Sequence, residues 1–157
     1  MKQPFENAVA AHSATVLRVC RAALGSGADA DDAWSETFLA ALRVWPELPE
    51  DTNVQAWLVR VAQRKSIDLI RARNRRAVPL AELPDRVAEN APEPPSDLWQ
   101  AVAALPERQR LALAYHYLGG LAHTETAELI GGTPAAVRRA ACDGLQALRR
   151  TYPASDH

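Results

Sequence analysis

One stretch, residues 56–76 (AWLVRVAQRKSIDLIRARNRR), constrains the fold of this chain more than any other. At helical pitch Leu58, Val61, Ala62 and Leu69 line up as an apolar stripe, and Arg60, Arg64, Arg71 and Arg75 gather on roughly the opposite face. Seven basic residues lie between positions 60 and 76, and Asp68 is the only acid among them. A helix of this length runs about 30 Å, so its basic side can follow several phosphates of a nucleic-acid backbone. A solvated helix face is the ordinary account of such a charge run. Two details favour nucleic acid. The charge is nearly all arginine, whose planar fork matches phosphate. Trp57 projects near Arg60 and Arg64, where an aromatic ring suits stacking on an unpaired base.

The bulk composition decides less. A chain of 157 residues is one ordinary domain or two small ones. Its abundance of alanine and low aromatic content suit helices packed closely through small side chains. Eighteen Lys and Arg against nineteen Asp and Glu give a net charge of −1, which by itself lends no support to nucleic-acid binding. The distribution is more informative. Residues 29–51 hold seven acids and one base, Arg43, immediately before the basic stretch. Such sorting implies two surfaces with different partners. Cys20 and Cys142 lie far apart in helical patterns and read as small buried thiols. The N-terminus has no signal-like apolar run, and no stretch has the length of a membrane span, so a soluble, cytoplasmic protein is expected. His12, His116, His123 and His157 form no ligand set, and there is neither a glycine-rich phosphate loop after a strand nor a nucleophile elbow. No metal, no cofactor and no enzymatic activity are expected.

Taken in order, the chain reads as all-α. A first helix over 5–24 ends at Gly25-Ser26-Gly27. Asp29 is expected to cap a second helix, residues 30–45, that buries Trp34, Phe38, Ala41, Leu42 and Trp45 and exposes Asp31, Asp32, Ser35 and Glu36. A proline-broken loop leads to the basic helix. Residues 77–95, rich in proline and acids with no sustained period, read as a linker. The organisation is therefore two small helical domains, 1–76 and 96–152, joined by a Pro-rich linker. In the second, Ser96 is expected to cap a short helix with Leu98, Trp99 and Val102. Pro106 opens a helix through position 117, stopped by Gly119-Gly120. Two helices then follow, 122–130 and 134–150, with Thr133 capping the last.

The last pair has helix-turn-helix spacing. Ala127 permits close crossing, Gly131 permits the sharp turn, and Val137 packs the second helix inward. Arg138 and Arg139 come early on that helix, where a recognition helix meets base edges or phosphates. A plain helical bundle with surface arginines satisfies the same spacing.

The two motif sets, in this order, resemble a known family. DADDAWSETFLAALRVW followed by AWLVRVAQRKSIDLIRARNRR is similar to conserved region 2 of bacterial sigma factors. LPERQRLALAYHYLGGLAHTETAELIGGTPAAVRRAACDGLQALRR is similar to their region 4. With only these regions and a short linker, the chain resembles the extracytoplasmic-function (ECF) group of the sigma-70 family. The resemblance implies that the acidic helix, through Asp31, Asp32, Ser35 and Glu36, docks on the β′ clamp coiled coil of core RNA polymerase. Ser35 stands where the family pattern usually has Gln. It implies that Trp57, Arg60 and Arg64 face the minus-ten element and help to hold the opened strand, with Arg71 and Arg75 on phosphates further along. Arg64 replaces an Asn common in the family, and Trp57 alternatively wedges between helices. In region 4, Thr133, Arg138 and Arg139 fall to DNA at the minus-thirty-five element. The run Arg138, Arg139, Ala140 departs from the family's Lys, Ser, Arg, and Cys142 and Asp143 replace residues that are often polar or basic. Leu111, Leu113 and Tyr117 contribute to the β flap contact or serve as core alone.

The implied function is a sigma factor that binds core polymerase, directs it to specific promoters and assists melting, with an anti-sigma factor as a candidate further partner. Two alternatives stay open: a polymerase-independent helix-turn-helix regulator, and a degenerate sigma-like protein that acts mainly through protein binding.

Overall fold

The computed structural model describes residues 3–25, 27–76 and 97–151, and every regular element among them is helical. The first half holds α1 (Phe5–Leu24), α2 (Ala28–Val44), a short 3-10 turn (Trp45–Glu47) and α3 (Val54–Arg76). The second holds α4 (Asp97–Ala103), α5 (Glu107–Leu113), a π-helical turn (Ala114–Leu118), α6 (His123–Ile130) and α7 (Pro134–Thr151). The expected linker and the Ser96 cap lie outside the described residues.

Local chemistry explains most boundaries. Gly25 adopts φ of +89°, a left-handed conformation that ends α1. Asn53 Oδ1 accepts the Ala56 N–H at 3.1 Å and caps α3. Thr133 Oγ1 accepts the Ala136 N–H at 3.0 Å, the expected cap of α7. Asp29 does not cap α2. Gly27 holds the cap position, Asp29 lies inside the first turn, and its carboxylate pairs with Arg73 of α3. A side chain drawn into an ion pair with a neighbouring helix is no longer available to its own helix end.

The helices bury one another in three layers of contact. Val16 and Cys20 of α1, Ala30, Ala33, Phe38 and Ala41 of α2, and Leu58 and Ala62 of α3 form the core of the first half. In the second half, Val102, Leu105, Leu113, Ala114 and Leu148 form a core to which α1 adds Ala22. A smaller cluster of Ala112, Ala127, Val137 and Ala141 holds α6 and α7 together. Gly144 lets α7 approach α5 closely, since a Cβ there would sit 3.3 Å from Leu113 and 3.4 Å from Gln109.

The two halves also share a core. Val19 and Ala23 of α1 and Val59, Ile67 and Ile70 of α3 pack against Leu111, Tyr115 and Leu121. Arg110 Nε reaches across to the Ala23 carbonyl at 3.0 Å, satisfying an acceptor at the end of α1. This junction changes which residues of α3 are buried. Of the expected stripe Leu58 and Ala62 are buried and Val61 and Leu69 only partly so, while Val59, Gln63, Ser66, Ile67 and Ile70 are buried as well.

Two expectations from periodicity need correction. Leu42 is 51% exposed, because small residues (Ala30, Ala33, Ala41) supply much of the inward face of α2. Cys142 is exposed, one turn beyond Arg138 on the outer side of α7, whereas Cys20 is buried as expected.

Candidate nucleic-acid interface

The basic helix α3 presents an open groove. About 540 Å³ of space is lined by Trp57, Arg60, Val61, Arg64, Lys65 and Asp68. Trp57 is half-buried, packing on the first core and lying 6.5 Å from the Trp45 ring while its remaining surface forms one wall. The wedging reading matches the packed side of this ring, and its other side is open to the groove. Arg64 and Arg75 are exposed and have no ion-pair partner among the described residues.

Arg60 and Arg71 are engaged. Arg60 forms an ion pair with Glu125 of α6, leaving its side chain 48% exposed. Arg71 Nη2 donates to the Leu129 carbonyl at 2.9 Å, near the end of α6. The basic face is thus divided between solvent and the second half of the chain.

On α2, Asp31, Asp32, Ser35 and Glu36 are all exposed, as expected. Leu39 and Leu42, 53% and 51% exposed, extend this acidic face by two further turns. The sequence reading missed that extension, because leucines on an amphipathic helix are ordinarily assigned to the core. An acidic surface continued by bare leucine matches a protein partner better than it matches solvent.

On α7, Arg138 and Arg139 are exposed near its N-terminus, and Thr133 is exposed while capping the helix. The turn before α7 is braced by Arg108, which donates to the carbonyls of Ile130 at 3.2 Å and Gly131 at 2.9 Å. Leu111 and Leu113 are buried; Tyr117 is half-exposed. His116 and His123 stack with ring centroids 4.0 Å apart, and His116 Nδ1 lies 2.9 Å from the Leu121 carbonyl. Burial, together with the neighbouring His116 and Arg138, lowers the pKa of His123. Among the described residues no group of three His, Cys, Asp or Glu is placed to hold a metal ion, and no helix is long and apolar enough to cross a membrane.

An all-helical chain with an arginine-lined groove beside a tryptophan and a separate helix-turn-helix defines a class of DNA-binding transcription protein. Comparison with known proteins narrows the class. The family model Sigma-70 region 2 matches residues 8–76, and Sigma-70, region 4 matches residues 96–148. The ECF RNA polymerase sigma factor SigD of Mycobacterium tuberculosis is 34% identical over 148 residues, covering 85% of this chain and 70% of that protein. The ECF RNA polymerase sigma factor SigF of Caulobacter vibrioides is 32% identical, covering 84% of this chain and 75% of its own length. The fold is shared with the sigma factor RpoE in complex with the anti-sigma factor NepR from Bartonella quintana, at a TM-score of 0.71 and 15% identity over 97% of this chain and 98% of that one. It is shared also with CnrH in complex with the cytosolic domain of CnrY, at a TM-score of 0.60 and 23% identity over 97% and 89% of the two chains. The chain belongs to the sigma-70 family, in its ECF group: it is a sigma factor, which binds core RNA polymerase and promoter DNA and directs the enzyme to promoters.

Proposed function

We propose that the sigma activity is divided between the two charged surfaces of the first half. The exposed face of Asp31, Asp32, Ser35 and Glu36 on α2 docks on the β′ clamp coiled coil. The α3 groove takes the opened strand at the minus-ten element, with a base against Trp57, phosphates on Arg60 and Arg64, and Arg71 and Arg75 further along. Arg138 and Arg139 of α7, with Thr133 at its start, read the minus-thirty-five element, and Tyr117 adds to the flap contact. Residues 1–76 and 96–152 act as separate domains on polymerase, and an anti-sigma factor is a further partner. The protein works in the cytoplasm and catalyses nothing. Melting is driven by binding, since capture of unpaired bases offsets an unstacking cost of a few kcal/mol.

The observation that carries this reading is the groove beside Trp57, with Arg64 exposed within it. Purified core polymerase and this chain, supplied with fragmented genomic DNA, should yield run-off transcripts with discrete start sites that neither component gives alone. Discrete DNA binding by the isolated chain without any core-dependent transcript would instead identify a polymerase-independent regulator.

A further inference from the structure

The turn that delivers the chain into α7 is weak by composition and is held from outside. Gly131 and Gly132 both stand in the left-handed region, at φ of +89° and +93°. Glycine gives up more backbone freedom on folding than any other residue, so two in succession make a joint with little stiffness of its own. The apolar seam beside the turn adds little, since it consists of Ala112, Ala127, Val137 and Ala141. Gly131 closes α6 by donating its N–H to the Ala127 carbonyl at 2.8 Å. The carbonyls of Ile130 and Gly131 lie past that last bond and have no helical donor.

Arg108 of α5 supplies the missing donors. Its Nη1 donates to the Ile130 carbonyl at 3.2 Å and its Nη2 to the Gly131 carbonyl at 2.9 Å. One planar fork thus spans two successive carbonyls, a geometry that arginine offers and lysine does not. Its positive charge also faces the negative end of the α6 dipole. The guanidinium lies against the turn itself, for a Cβ on Gly132 would sit 2.7 Å from Nη2. Arg108 is exposed and forms no ion pair among the described residues, so nothing there draws the fork away from the turn. Helix α5 therefore holds α7 at two places. Arg108 holds the entrance, and further along Gly144 brings α7 against Gln109 and Leu113. Arg138 and Arg139 lie between the two. Arg138 is six residues from Gly144, about 9 Å along the helix axis. With the entrance released, a tilt of about 10° about Gly144 carries Arg138 about 1.5 Å, beyond the tolerance of about 0.5 Å for a positioned contact.

We propose that Arg108 is a positioning residue for promoter reading: its fork on the two turn carbonyls fixes the angle of α7, and with it the aim of Arg138 and Arg139 at the minus-thirty-five element. This rests on the reading of α7 as the recognition helix. Arg108 acts on the chain and not on DNA. Its guanidinium is committed to the turn, so its loss costs sequence-specific binding and leaves general phosphate attraction as it was. A direct phosphate ligand has the opposite signature, an equal loss on every sequence and a shallower dependence on salt.

The test has two arms. In the first, spin labels on Ala103→Cys, at the exposed end of α4, and on Ala135→Cys, in the exposed first turn of α7, report the angle of α7 in the full chain carrying Cys142→Ser. Cys20 is buried and stays unlabelled. The distance between the labels should be narrowly distributed when Arg108 is present and should broaden in Arg108→Ala. In the second, the unlabelled chain with core polymerase is bound to a promoter fragment recovered by run-off transcription, and to the same fragment with its minus-thirty-five element scrambled. Arg108→Ala should weaken binding of the intact fragment about tenfold, the loss expected from one misplaced base contact. Binding of the scrambled fragment and the salt slope should not change. Arg108→Lys, which keeps the charge without the fork, should recover only part of both effects. An unchanged label distance in Arg108→Ala overturns the proposal, as does unchanged binding of the intact fragment. Equal weakening on both fragments with a shallower salt slope overturns it too, by making Arg108 a phosphate ligand. Should wild type itself bind both fragments alike, the reading of α7 as the minus-thirty-five reader fails, and the label distance alone then decides whether Arg108 sets the angle of the helix.

Discussion

On the proposed reading Trp57 serves folding and recognition together. Its packed side is fixed by the first core and by Trp45, which holds the ring still, and its other side walls the groove with Arg60 and Arg64. A ring immobilised before binding loses little entropy when a base stacks on it. The cysteines give a sharper residue-scale contrast. Burial pushes the Cys20 thiol up to about 12, while Cys142 stands in the open beside Arg138 and Arg139. Thiolate is the reactive form, so a thiol reagent at about pH 8 should label one cysteine in the native protein and the second only after denaturation. Peptide mapping should place the first label at Cys142. Rapid native labelling of Cys20 would show that its helix packing is wrong. Nothing in the spacing of the sequence separated these two cysteines, because both occupy helical positions and only the neighbours of each helix decide exposure.

At the scale of elements, the helices were legible because each carries its own period, and the last its cap as well, as Thr133 illustrates. What a single helix cannot report is a second partner. Gln63 and Ser66 look like surface residues of a basic helix, yet the other half of the chain buries them; Tyr115, at the centre of that junction, carries no local sign of it. The acidic helix failed in the opposite direction, since Leu42 is bare where alanines do the packing. The proposed docking face it extends can be tested. Asp32→Arg with Glu36→Arg should lower affinity for core polymerase by about a hundredfold, read by fluorescence anisotropy, with the circular dichroism spectrum unchanged. Unaltered affinity would exclude this face. The turn into α6 carries a pH dependence of definite sign. His123 has a lowered pKa from burial, from the stacked His116 and from Arg138. The unfolded chain, with an ordinary histidine near 6.5, therefore binds the proton more readily than the folded one. The stability this histidine contributes is complete above about pH 6.5 and is lost as the pH falls toward the lowered folded value. Urea midpoints should drop on acidification from about pH 7.5 to pH 5.5, and less steeply in His123→Gln; identical slopes would contradict the shift.

Across the whole molecule, charge is sorted rather than accumulated. The net charge of −1 is compatible with DNA binding because the acids are concentrated on and around α2, and seven bases on α3. A free protein so balanced should hold promoter duplex weakly and lose it readily to salt, with polymerase supplying most phosphate contacts in the complex. That division puts the test on the complex with polymerase. The most direct measurement is permanganate reactivity of thymines in a supercoiled promoter bound by core enzyme and this chain. Wild type should open a stretch around the minus-ten element, and Trp57→Ala with Arg64→Ala should bind core normally yet leave that stretch closed. An opening of the same extent with the double variant would contradict the claim that the groove beside Trp57 holds the melted strand.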